Sequence, residues 1–223
     1  RQIQDDIVRQ YEADFGKHID SRTLPRIRMV WDSIPMQLAK ENKKFFFGQI
    51  KKGARSGDYE IAIQCLLDCG LIHKVSRVNE PHMPLKAYKS LNAYKIFMLD
   101  VGLLGALSEL NAESIIEGND IFVEFKGALT EQYVLQQLIS DTDYTPYYFG
   151  TEKATFEQDF LIQKENRIVP IEVKADANIH SQSLKAYCDK FHPEEAVRFS
   201  TKKVCRSRMD EEYPTICSLQ SVT

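Results

Sequence analysis

Two runs of alternating side chains, FEQDFLI at 156–162 and IVPIEVK at 168–174, are separated only by the polar stretch QKENR, and they constrain this chain more than any other feature. In the first run Phe156, Gln158, Phe160 and Ile162 alternate with Glu157, Asp159 and Leu161, the period of two that marks a strand. Asp159 therefore shares a face with Glu157 and Leu161. In the second run Val169, Ile171 and Val173 point one way and Glu172 and Lys174 the other. A short polar connection between two strands reads as a hairpin. If the strands pair, Asp159 converges on the side from which Glu172 and Lys174 leave.

Two carboxylates, completed by waters and phosphate oxygens, make a hard, oxygen-rich site of the kind that suits Mg²⁺ or Mn²⁺. A lysine beside them would orient or deprotonate a water, or stabilise negative charge developing on phosphate. A third acid lies upstream in IFVEFKGALTEQYVLQQLIS, where Phe125, Leu129, Gln132 and Leu135 recur at helical spacing and place Glu131 at the border of an apolar stripe. The same residues allow a plainer reading. Glu172 and Lys174 can form a structural ion pair, and Glu131 can be a solvated helix carboxylate.

The order of elements around these runs implies two modules. In the first, expected over residues 1–110, DDIVRQYEADFGK reads as a short helix. The stretch DSRTLPRIRMVWDSIPMQLAKEN reads as a longer helix, with Ile27, Trp31, Ile34 and Leu38 as its stripe and Pro25 near its start. A Gly- and Lys-rich turn leads to IAIQCLLDCG, a helix with Ala62, Cys65, Leu66 and Cys69 facing the core and Gly70 at its end. LIHKVSRV and YKIFMLD then read as strands around the loop NEPHMPLK. Three helices followed by a β-ribbon is the order of a winged helix, giving an N-terminal winged-helix-like α+β module. Its natural groove reader would be the helix from Tyr59 to Cys69 with Lys51, Lys52 and Arg55 before it, but Glu60 and Gln64 are a poor set for reading bases. A protein-docking or weak phosphate-contacting role fits that face better.

The connector NAESIIEGND separates this module from the second, expected over residues 120–223. There the pattern predicts a helix over 120–140, strands over YTPYYFG, 155–162 and 168–174, a helix over 181–191, a strand at AVRFS and a last strand near YPTICSL. Pro170 is expected at the start of its strand, where a missing amide donor is tolerable. The resulting class is α/β with a mixed sheet.

The segments GALTEQYV, YYFGTEKATFEQDFLI, IVPIEVKA and SLKAYCDKFHPEEAVRFS resemble the C-terminal domain of unknown function that follows the P-loop domain in bacterial and archaeal AAA-type ATPases. That domain is similar to the PD-(D/E)xK nuclease superfamily, which implies a restriction-endonuclease-like αβββαβ core. The resemblance extends upstream through DYEIAIQCLLDCGLIHKVSRV and KIFMLDVGLLGAL, covering most of residues 25–200. Carried over by position, it implies Glu131 as the acid of the first core helix, Asp159 as the motif aspartate, Glu172 as the second acid and Lys174 as the motif lysine. Glu131, Asp159 and Glu172 would be the metal ligands. The proline that usually precedes the motif aspartate is Gln158 here. No GxxxxGK[ST] phosphate-cradling loop occurs in the sequence, so ATP would act only through an ATPase domain upstream of this chain.

Composition narrows the setting. The net charge of −3 conceals an asymmetry: residues 1–90 hold 16 Lys and Arg against 11 Asp and Glu, or +5, and residues 91–223 hold 13 against 21, or −8. The five cysteines form no CxxC pair and the five histidines stand singly, which points to reduced thiols and to no zinc site. No apolar run is long enough to span a membrane and RQIQDDIVRQ is too polar for a signal sequence, so the expectation is a soluble, cytoplasmic protein. Three functions stand at this level. The chain is a nuclease-like module that binds nucleic acid or a protein partner and is coupled to an upstream ATPase, or an active Mg²⁺-dependent DNA endonuclease, or a purely structural, oligomerising appendage.

Overall fold

The computed structural model describes residues 1–40, 43–110, 123–150, 156–175, 182–200 and 204–208. It divides into two compact units, one of residues 1–74 and 95–132, the other of residues 75–94 and 133–223. The excursion from Val75 to Tyr94 thus groups with the C-terminal unit.

The first unit is built on helices α1 (Gln2–His18), α2 (Leu24–Leu38), α3 (Phe47–Ile50), α4 (Ser56–Asp68) and α5 (Val101–Leu107). The stripe expected on α2 is its core: Ile27, Val30, Trp31, Ile34 and Leu38 are fully buried. Phe15 and Tyr11 meet the Trp31 ring edge-on at 5.5 and 6.5 Å, and the indole N–H donates to Glu12 at 3.3 Å. Edge-on rings gain more than their area burial alone. The helix α4 ends where the sequence places its stop. Gly70 takes the left-handed conformation, φ +68°, and Leu71 N–H reaches back to the Leu66 carbonyl at 3.0 Å. Its buried face differs from the expected one, because Tyr59, Ala62, Ile63 and Leu66 are buried, Cys65 is half-buried and Cys69 is exposed. Cys69 is the C-cap of the helix, one residue past Asp68.

Two buried glutamines tie this unit together. Gln37 donates to the Phe46 carbonyl at 2.9 Å and accepts the Phe46 N–H at 3.0 Å. Gln132 treats Met98 in the same way, at 2.7 and 2.9 Å. A primary amide carries one donor side and one acceptor side, so it completes both backbone groups of an extended residue as a neighbouring strand would. Apolar side chains at 37 and 132 would leave those groups unsatisfied.

Seven strands follow the order β2-β1-β3-β4-β5-β6-β7 in one mixed sheet. They are β1 (Ile72–Val78), β2 (Lys89–Met98), β3 (Tyr147–Phe149), β4 (Gln158–Lys164), β5 (Arg167–Lys174), β6 (Glu195–Ser200) and β7 (Val204–Arg208). Helix α6 (Val123–Asp141) precedes β3 and α7 (Gln182–Phe191) connects β5 to β6. β1 and β3 run parallel, as do β5 and β6, while β3–β4, β4–β5 and β6–β7 are antiparallel. The parallel step from β5 to β6 needs a crossover, and α7 supplies it. The core of this unit gathers Val78, Leu85, Tyr147, Phe149, Leu161 and Tyr187, with Phe156, Ile168 and Phe191 packed against it. Phe149 meets Tyr187 and Phe191 edge-on at 5.7 and 5.3 Å.

Two sequence expectations change here. β4 does not alternate: Phe160, Leu161 and Ile162 are all buried, and the pairing with β3 slips between Tyr147↔Leu161 and Phe149↔Gln158, so that three steps on β4 match two on β3. A bulge of this kind breaks the period of two, and burial on both faces removes the polar side. Pro170 lies inside β5, paired with Leu161, rather than at its start. The β5–β6 pairing runs from Ile171 onward, so the missing N–H of Pro170 falls just outside that ladder. The last strand expected near YPTICSL lies outside the described residues; β7 occupies Val204–Arg208.

Candidate functional site

The β4–β5 ladder is regular from Lys164↔Arg167 to Phe160↔Ile171. Asp159 and Glu172 each lie one residue beyond that last pair, where the ladder approaches the bulge. Glu172 is 2% exposed. Its Oε1 lies 2.7 Å from Lys174 Nζ and its Oε2 accepts from Gln158 Nε2 at 2.7 Å. Asp159 Oδ2 accepts the backbone N–H of Val173, the residue between Glu172 and Lys174, at 2.8 Å. Asp159, Glu172, Lys174 and Gln158 therefore form one connected cluster.

The electrostatics of the cluster are uneven. Glu172 is almost wholly removed from water, whereas the Lys174 side chain is 36% exposed. A buried carboxylate needs its partners, and Lys174 and Gln158 supply a charge-assisted hydrogen bond each. Gln158 is itself fully buried, and its Oε1 has no hydrogen-bond partner among the described residues. An orphaned amide oxygen at this depth costs about 1–3 kcal/mol. Arg198 on β6 is the backbone neighbour of Glu172.

Glu131 is placed differently. It is 5% exposed, so it is a core residue of the first unit and not a carboxylate at the border of a stripe. It forms an ion pair with Lys43, and Lys95 Nζ lies 3.9 Å from its Oε2. Lys95 is 1% exposed. Two lysines thus enclose one glutamate inside the helical unit. Among the described residues no group of three His, Cys, Asp or Glu side chains is disposed to hold a metal ion. In donor chemistry Asp159, Glu172 and the Gln158 amide oxygen suit a hard cation, and they are the residues that would hold one.

Lys164 and Arg167 lie away from this cluster, facing each other at the β4–β5 turn, the opposite end of β5 from Lys174. They are answered by Glu195 at 3.9 Å and by Glu165 and Glu194 at 3.7 and 3.8 Å. Lys153 lies outside the described residues. Cys65, Cys69 and Cys188 are free thiols. Burial pushes Cys188 up to about 11, which keeps it protonated and unreactive near neutrality.

Sequence reasoning missed four residues around these acids. Gln158 stands where the resemblance led one to expect proline, and that substitution was the available signal. Arg198 becomes a neighbour of Glu172 only through the β5–β6 pairing, a contact across 26 positions that no local pattern encodes. Lys43 and Lys95 are remote from Glu131 in sequence and carry no motif.

Residues 1–114 match the family described as a domain of unknown function, DUF8612, and the chain belongs to it. Residues 126–220 match a second domain of unknown function, DUF4143, which is commonly found in AAA-ATPase-associated proteins. Neither the curated proteins nor the solved structures include a match to this chain. None of its described helices is long and apolar enough to cross a membrane.

Proposed function

We propose that residues 126–220 form a nuclease-like module with a silent site, serving an AAA-type ATPase by binding nucleic acid or a protein partner. The observation that carries this reading is the occupancy of Glu172: both of its oxygens are engaged, by Lys174 and by Gln158. In a working phosphodiesterase of this type that carboxylate would face the cation and the lysine would face the water or the phosphate. Here they neutralise each other. The order helix, three strands, helix, strand over α6 to β6 supports the nuclease-like core. The association of DUF4143 with AAA ATPases supports the coupling.

One observation favours the active enzyme as a second reading. The buried, unpartnered Gln158 Oε1 sits on the residue that binds Glu172, and Asp159 is its neighbour in sequence. A hard cation would give that oxygen a partner, and Lys174 is exposed enough to swing away from Glu172. Fluorescence anisotropy with a labelled DNA duplex, followed by gel analysis of the same samples after incubation with Mg²⁺ or Mn²⁺, separates the two. The silent module leaves the DNA intact. Binding that weakens steeply with salt identifies nucleic acid as the ligand, and its absence leaves a protein partner. Metal-dependent cleavage that disappears in Asp159→Ala and Glu172→Ala would establish the enzyme instead.

A further inference from the structure

The first unit contains a cavity of about 430 Å³. Arg26 from α2 and Lys51 and Lys52 from the turn before α4 line it, over a wall made by Met29 and Tyr59. The Tyr59 hydroxyl is turned onto the Met29 sulfur at 3.8 Å, which leaves that wall apolar. One acid, Asp58, also lines the cavity, its Oδ2 accepting the Arg55 backbone N–H at 3.2 Å, so the lining sets three positive charges against one negative. None of Arg26, Lys51 and Lys52 is in an ion pair among the described residues. Elsewhere in the same unit Arg1, Arg9, Lys17 and Lys43 all are. Gly53, in the left-handed conformation at φ +80°, closes the turn that brings Lys51 and Lys52 to the rim.

All three cations are exposed, so water and salt screen their mutual repulsion, and an anion entering the concavity would be attracted by them together. Arginine offers a planar fork and lysine a mobile point charge, the two complements that phosphate oxygens accept. The volume exceeds what a bare phosphate needs and falls in the range of small-molecule sites. We propose that this cavity binds the phosphate of a phosphate ester, with Arg26, Lys51 and Lys52 as its cations and the Met29–Tyr59 wall against the organic part. A free nucleotide and the backbone of a nucleic acid both present that chemistry.

The test uses the 223-residue chain with ADP in titration calorimetry and a labelled DNA oligonucleotide in anisotropy. The double variant Lys51→Glu/Lys52→Glu is compared with Lys86→Glu/Lys89→Glu, an equal change of charge at exposed positions of the other unit. Arg26→Gln, on a different element, serves as the second cavity variant. Thermal melts by circular dichroism establish that all are folded. At least one probe is expected to bind wild type, and both cavity variants are expected to lose about tenfold or more in affinity while the control pair loses far less. Binding of ADP identifies the nucleotide as the source, and binding of the oligonucleotide alone identifies the backbone. Failure of both probes to bind wild type, or equal losses in the cavity and control variants, would overturn the proposal.

Discussion

Glu131 and Glu172 are both buried glutamates beside lysine, yet their surroundings differ in a way that separates scaffold from site. Glu131 lies between two lysines, one of them 1% exposed, so the whole group is sealed within the helical unit. Glu172 has one lysine whose side chain is 36% exposed, and its other oxygen is held by a neutral amide with an orphaned oxygen of its own. In the first arrangement no side chain is more than 11% exposed. The second has an exit to solvent and an unspent polar atom, which is what a site that gained or lost a ligand would retain. Burial of a carboxylate is thus no guide to function by itself, and the exposure of its partner is the better one.

The contrast has consequences for stability that can be measured. Removing Glu131 strands two charges in the interior, so Glu131→Ala is expected to cost about 3–5 kcal/mol in urea unfolding, the largest effect of any single change considered. A cost below about 1 kcal/mol would mean that the lysines reach water and that the group is not sealed. Gln132→Leu, next to it, removes both bonds to the Met98 backbone and should cost about 2–3 kcal/mol by the same measurement, since two buried backbone groups lose their partners. Glu172→Gln should cost only about 1–2 kcal/mol, because Lys174 can turn into solvent once its partner is neutral. If Glu172→Gln proved as damaging as Glu131→Ala, the distinction between the two glutamates would fail.

The smallest expected effect concerns pH. Burial holds the His73 imidazole below its usual value of 6.5, so the unfolded chain takes up this proton first. The contribution of neutral His73 to stability is complete above about pH 6.5 and is lost as the pH falls from there through the folded-state value. His73→Gln should flatten that limb of the stability–pH curve in chemical denaturation. An unchanged limb would assign the acid sensitivity to carboxylates.

Much of the fold was legible because it is written locally. The α2 stripe of Ile27, Trp31, Ile34 and Leu38 is the helical period read directly, and Gly70 stops α4 because only a residue without Cβ takes that conformation at no cost. The strands around Asp159 and Glu172 were legible in position but not in facing. A bulge on β4 and cover on both sides of the sheet erased the alternation, and Gln158 took the contact with Glu172 that a regular strand would have given to Asp159. The surroundings of Glu131 were illegible for another reason. Its buried stripe on α6 serves the first unit, and the lysines that meet it come from positions 43 and 95, so its environment depends on packing over tens of residues rather than on any spacing within the helix.

The silent-site reading requires that the Glu172–Lys174 pair does not open to admit a cation. Titration calorimetry with Mg²⁺ and Mn²⁺, in the presence of a DNA duplex, on wild type, Asp159→Ala and Glu172→Ala tests it most directly. A silent cluster predicts the same heats for all three proteins, with no saturable step in wild type that the variants lack. A saturable step in wild type that vanishes in both variants would contradict it, and would show that Glu172 releases Lys174 to take a cation.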